Sequence, residues 1–113
     1  MQYRQNTEIR GEKMFFSNRI NIDDAVKECR NTPDAILVDV REVDEFRSGH
    51  IPGAVNIPLS AVNQVTLPKE KPLYVYCLRG TRSKQAVSCL KRMGYQNVKS
   101  IGGIASYKGQ VEK

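Results

Sequence analysis

The chain is 113 residues long, 40% hydrophobic and 27% charged, with a formal net charge of +6 and a mean hydropathy of −0.49. Its length fits one domain, for which about 100–200 residues are usual, and suffices for a core without staples, which become necessary only below about 40 residues. No apolar run approaches the ~20 residues of a membrane-spanning helix, and residues 1–13 lack the apolar stretch of a secretory signal, so the expected compartment is the cytoplasm.

Three cysteines, Cys29, Cys77 and Cys89, are an odd number with no C-x-x-C pair, which argues against a disulfide framework. His50 is the single histidine, and no carboxylates stand at a recognisable ligand spacing around it, so no metal is expected. The charge is unevenly spread. Residues 14–67 hold five basic and eight acidic side chains, whereas residues 68–113 hold ten basic and two acidic. A basic half of this kind suits nucleic acid, a membrane surface or an anionic substrate, or is simply a solvated face. The Lys and Arg residues are dispersed and no aromatic RNA-binding motif accompanies them, so nucleic acid is not expected as a partner; nor is a membrane.

In chain order, residues 1–13 are polar and aperiodic and read as a flexible tail, leaving 14–113 as a single domain. Phe15 to Ile20 is a short strand candidate. Asn21 is suited to cap a helix over Ile22 to Arg30, in which Ala25, Val26 and Cys29 share a face. Ala35 to Val40 is a nearly continuous apolar run, the pattern of a strand buried on both faces. A short helix is expected over Glu42 to Ser48, then a strand over Ala54 to Ile57 stopped by Pro58, then a β-branched and aromatic strand over Leu73 to Tyr76. Ser83 to Met93 is the strongest helix, with Ala86, Val87, Leu90 and Met93 as its core stripe and Gly94 as its stop. Val98 to Ile101 is the last strand, and Gly102-Gly103 turns the chain into a short amphipathic tail. Strands alternating with helices specify an α/β fold around a mostly parallel sheet.

Ligands of such sheets bind outside the carboxyl ends of the strands. There, a cysteine closes a buried strand and Leu78, Arg79, Gly80, Thr81 and Arg82 lead to a helix expected to begin at Ser83, its capping residue. A short loop entering a helix N-terminus points several N–H groups into one concavity suited to anions. The helix dipole and the charges of Arg79 and Arg82 add to it. Such settings lower a thiol pKa from about 8.5 into the ~3.5–7.5 range, and the thiolate is a nucleophile. Cys77 is therefore the candidate catalytic residue, with Leu78 to Ser83 as an anion cradle. Cys29 and Cys89, on apolar helix faces, read as small core residues.

Cys77-Leu78-Arg79-Gly80-Thr81-Arg82-Ser83 resembles the active-site loop of the rhodanese family of sulfurtransferases. Gly49-His50-Ile51-Pro52-Gly53-Ala54-Val55-Asn56-Ile57-Pro58 is similar to a second signature of that family, and Val38-Asp39-Val40-Arg41 with Glu45-Phe46 to a third. Gly94-Tyr95, Asn97-Val98 and Gly102-Gly103-Ile104 resemble its C-terminal pattern; Tyr107 stands where many members carry tryptophan. The resemblance implies a rhodanese-like fold: a five-stranded, mostly parallel sheet flanked by helices on both faces. It also implies transfer of a sulfane sulfur from a small anionic donor such as thiosulfate to Cys77 as a persulfide, then to a thiol or cyanide. The N–H groups of Leu78 to Ser83 would hold the persulfide, Arg79 and Arg82 would attract the donor, and no cofactor is implied. Asp39 and Arg41 are expected as supports, Arg41 pairing with a carboxylate such as Glu45, and His50 as part of a shaped turn rather than a base.

Three rival functions share these features. A phosphatase or arsenate reductase of this fold carries Cys-x5-Arg, one residue more than the Cys77-x4-Arg82 spacing here. A non-catalytic binding module would usually lack the cysteine. A sulfur carrier that hands its sulfur to an acidic partner protein fits the basic half.

Overall fold

The structure is a computed structural model, and it describes residues 21–113. The strand expected at Phe15 to Ile20 and the expected tail lie outside these residues.

Helix α1 (Ile22–Arg30) forms where its signals cluster. The Asn21 side chain accepts a hydrogen bond from the Asp23 N–H at 2.8 Å, Asp23 and Asp24 complement the positive end of the dipole, and Lys27 and Arg30 the negative end. Ile22, Ala25, Val26 and Cys29 form its buried stripe.

Four parallel strands are described, β1 (Ile36–Asp39), β2 (Val55–Asn56), β3 (Leu73–Cys77) and β4 (Val98–Gly103), in the order β2-β1-β3-β4. β3 is buried at every position, as its place between β1 and β4 requires. Its side chains alternate between two cores. Leu73, Val75 and Cys77 face α3 (Thr81–Arg92), packing with Ala86, Val87 and Leu90. Tyr74 and Tyr76 face α1, packing with Ile22, Ala25, Val26 and Cys29. Helices thus cover both faces, and each fully buried Val or Leu in these layers contributes about 1.5–3 kcal/mol. Both tyrosine hydroxyls are satisfied: Tyr74 donates to Glu28 at 2.6 Å, and Tyr76 accepts from the Ile51 N–H at 3.0 Å.

Several elements differ from their sequence reading. Leu59–Gln64, which has no helical periodicity, forms a 3-10 helix that closes the α3-side core through Val62. β4 runs on through Gly103 instead of ending at Ile101, because a register shift between Val75 and Tyr76 brings Gly102 and Gly103 opposite Tyr76 and Cys77. The tail expected beyond it consists of a 3-10 turn (Ile104–Ser106) and a segment whose Glu112 bridges His50.

The chain leaves β1 toward β2 on one side and later reaches β3 on the other. The crevice at the carboxyl ends of β1 and β3 is thus a topological switch point, where α/β sheets bind ligands. Cys77 ends β3 at this crevice, and α2 (Val43–Ser48) follows the end of β1. Among the described residues no helix is long and apolar enough to cross a membrane.

Candidate active site

The loop after Cys77 is shorter than its sequence suggests. Helix α3 begins at Thr81, not Ser83, with Gly80 as its N-cap in the left-handed conformation (φ 105°). Glycine adopts that conformation without the penalty other residues incur, so the helix starts without a side-chain cap. Thr81, Arg82 and Ser83 become its first turn, whose N–H groups have no partner within the helix.

Those N–H groups meet the sulfur. Cys77 Sγ accepts from the Gly80 N–H at 3.0 Å and from the Ser83 N–H at 3.4 Å, and the Ser83 hydroxyl lies 3.7 Å away. Burial alone would push the thiol pKa up. The Ser83 N–H and hydroxyl and the N–H groups of Gly80 and Arg79 outweigh burial, and the pKa lies below its ordinary value. The first turn of α3 holds no acidic side chain, unlike those of α1 and α2, so no carboxylate of its own competes with the sulfur for its positive end. Ser83 serves the site differently from the cap expected of it: fully buried, it donates to the Gly80 carbonyl at 3.0 Å and meets the Ser100 hydroxyl at 2.7 Å.

The two loop arginines differ. Arg79 is exposed, and no carboxylate pairs with it among the described residues. Arg82 binds Glu45 of α2 through two bonds, 2.7 and 3.0 Å long. The Arg82 guanidinium holds the Glu45 carboxyl down at about 2, against some desolvation and with help from the Glu42 N–H.

The carboxylate expected to pair with Arg41 is thus engaged elsewhere. Arg41 instead binds Asp39, with Nη2 to Oδ2 at 2.8 Å and Nε to both oxygens at 3.1 Å. Backbone proximity decides this, since the Arg41 N–H also bonds Asp39 Oδ1 at 2.9 Å. Arg41 Nη2 reaches the Gly49 carbonyl at 2.7 Å, and its guanidinium lies 5.9 Å from the centre of the Tyr76 ring. Asp39 and Arg41 therefore brace the segment around Gly49 from the α1 side of the sheet. Neither hydrogen-bonds Cys77 or residues 78–83 among the described residues. Asn56 completes the brace by donating to the carbonyls of Asp39 and Arg41 at 3.0 and 2.9 Å.

His50 stacks on Phe46, ring centroids 3.7 Å apart. Its Nδ1 lies 2.9 Å from the Phe46 carbonyl and its Nε2 faces Glu112 at 3.6 Å. Both ring nitrogens face partners other than Cys77.

Two contributors escape a reading in chain order. Ser100 reaches Ser83 only through the pairing of β4 with β3. Gly103 packs flat against the loop, where a Cβ would lie 2.0 Å from the Leu78 carbonyl oxygen and 2.5 Å from Arg79 Cα. The same carbonyl accepts from the Ala105 N–H at 3.1 Å, so the end of β4 fixes the height of the loop beneath the sulfur.

A thiol that accepts N–H bonds from a helix start, at a sheet switch point, is a candidate nucleophile. The rhodanese-like domain matches residues 23–110, and the chain belongs to that family. It is 36% identical over 106 residues to the adenylyltransferase and sulfurtransferase UBA4 of Meyerozyma guilliermondii; the match takes in 84% of this chain and 24% of that protein, so the chain spans about a quarter of that relative's length. It is 38% identical over 71 residues to the thiosulfate sulfurtransferase PspE of Escherichia coli, covering 59% of this chain and 68% of that one. The solved structure of a rhodanese-related protein from Thermoplasma volcanium superposes with a TM-score of 0.70 at 32% identity, over 82% of this chain and 95% of that one. Sulfur transfer is the general chemistry that the names of the two curated relatives carry.

Proposed function

We propose that this chain transfers a sulfane sulfur through a persulfide on Cys77, with a small anionic donor such as thiosulfate. The observation that carries this reading is the sulfur of Cys77 accepting N–H bonds from Gly80 and Ser83 at the start of α3. The Cys77 thiolate attacks the outer sulfur of thiosulfate. A new S–S bond forms, the donor's own S–S bond breaks, and sulfite leaves with the electron pair. The persulfide sulfur carries the negative charge into the cradle of N–H groups from residues 78–83, which hold it without a cofactor. A thiolate or cyanide then attacks the terminal sulfur, and Cys77 leaves as the thiolate that began the cycle.

The name of the Escherichia coli relative favours thiosulfate as a donor. Engagement of Arg82 by Glu45 disfavours phosphate, since a phosphatase arginine must turn into the bowl to grip oxygen atoms. The excess of basic over acidic residues in 68–113 supports a second acceptor class, a cysteine or other nucleophile on an acidic partner protein. Three free cysteines suit a reducing compartment such as the cytoplasm.

The test is thiocyanate formation from thiosulfate and cyanide, run beside p-nitrophenyl phosphate hydrolysis. Thiocyanate produced by the wild type and lost in Cys77→Ser supports the reading. Phosphate release that depends on Cys77, without thiocyanate, would replace it with the phosphatase reading.

A further inference from the structure

We infer that Ser100 is a positioning residue for Cys77, its hydroxyl donating to Ser83 and so directing the Ser83 proton between the Gly80 carbonyl and the sulfur. The inference rests on Cys77 as the reactive thiol and concerns how its ionisation is supported.

Ser83 Oγ has three polar neighbours: the Gly80 carbonyl at 3.0 Å, Ser100 Oγ at 2.7 Å and Cys77 Sγ at 3.7 Å. A hydroxyl owns one proton and two lone pairs. With Cys77 protonated the three contacts use that capacity in full, as Ser83 donates to Gly80 and accepts from Ser100 and from the thiol. When the thiol loses its proton, the sulfur turns from donor to acceptor. The Ser83 O–H must then swing from the Gly80 carbonyl to the sulfur, or two sets of lone pairs face each other in a buried site. Gly80 tolerates the swing because its carbonyl also accepts from the Lys84 N–H at 3.2 Å.

Ser100 supports that swing. As a donor it occupies one Ser83 lone pair in both states, polarises the Ser83 O–H bond, and leaves the sulfur and the Gly80 carbonyl as the proton's two destinations. Its position follows from the register shift in the sheet. Val75 pairs with Ser100 but Tyr76 with Gly102, so Ile101 is an extra residue in β4. Val98 packs on the α3 side and Ile101 on the α1 side, and the two-residue strand period puts Ser100 with Val98 beneath the start of α3.

The test is the pH dependence of Cys77 alkylation by iodoacetamide, followed on the Cys77 peptide so that Cys29 and Cys89 do not contribute. Ser100→Ala should slow alkylation at neutral pH by about threefold and move its midpoint upward. Ser100→Thr, which keeps the hydroxyl, should restore the wild-type profile, and Ser100→Ala added to Ser83→Ala should change nothing further. A wild-type profile in Ser100→Ala, an undiminished effect without Ser83, or Ser100→Thr behaving as Ser100→Ala would each overturn the inference. A wild-type Cys77 that titrates as an ordinary thiol would instead overturn the reading beneath it, since alkylation reports ionisation whether or not the cysteine carries sulfur.

Discussion

Glu45 and Arg82 join the first turns of two helices, α2 and α3, through bonds of 2.7 and 3.0 Å. The charge of Arg82 is therefore matched within the fold, and exposed Arg79 is left as the loop cation with no carboxylate partner among the described residues, which in the proposed reaction would meet an approaching donor. A long-range charge on an exposed side chain acts on encounter and is screened by salt.

Arg79→Ala should lower kcat/KM for thiosulfate several-fold at low ionic strength, on the order of threefold to tenfold, and the deficit should shrink as salt is added. Arg82→Ala should show the weaker salt dependence of the two. Steady-state kinetics across an ionic-strength series check this, and equal salt slopes in the two variants would contradict it.

The same ion pair makes a pH prediction. Glu45 titrates at about 2 in the folded protein against an ordinary 4.5. A carboxylate with a depressed folded pKa stabilises fully above the unfolded value, and that contribution is lost as the pH falls through the folded one. Wild-type stability should thus decline between about pH 4.5 and pH 2 in part through this group. Glu45→Gln should flatten that decline and cost up to about 1 kcal/mol at neutral pH, as expected for a part-exposed pair. Urea unfolding at several pH values measures both; an unchanged acid slope in the variant would remove Glu45 from the acid response.

Gly103 has an extended backbone (φ −133°), so what excludes a side chain there is contact with the loop and not conformation. Gly103→Ala drives a methyl group into the Leu78 carbonyl, and the loop must lift away from the sheet. Displacements near 1 Å in a positioned site cost about 10²-fold in rate, so transfer should fall by about that factor while circular dichroism stays native. Near-wild-type turnover would show that the loop tolerates the shift.

Local signals carried most of the architecture. α1 has the expected bounds because cap, dipole charges and apolar stripe all sit within ten residues, and β3 is buried on both faces as its composition demands. The start of α3 was obscured because Gly80 caps it through a left-handed backbone, which leaves no Ser or Thr signature at the right place. The 3-10 helix at Leu59–Gln64 has no periodicity to read. In the site, Cys77 and its loop stand out because they are contiguous. Arg41 takes Asp39, two residues away, in place of the expected Glu45, Glu45 pairs across the fold with Arg82, and Ser100 and Gly103 join only when β4 pairs with β3 across a register shift. Contacts made by non-local pairing leave no mark within either segment.

The most direct measurement is the intact mass of the protein after incubation with thiosulfate, before and after cyanide is added. A persulfide on Cys77 predicts a gain of one sulfur that cyanide removes and that Cys77→Ser does not acquire. A folded wild-type protein that gains no sulfur from thiosulfate or any other sulfane donor, or a Cys77→Ser protein that gains it equally, would contradict the account.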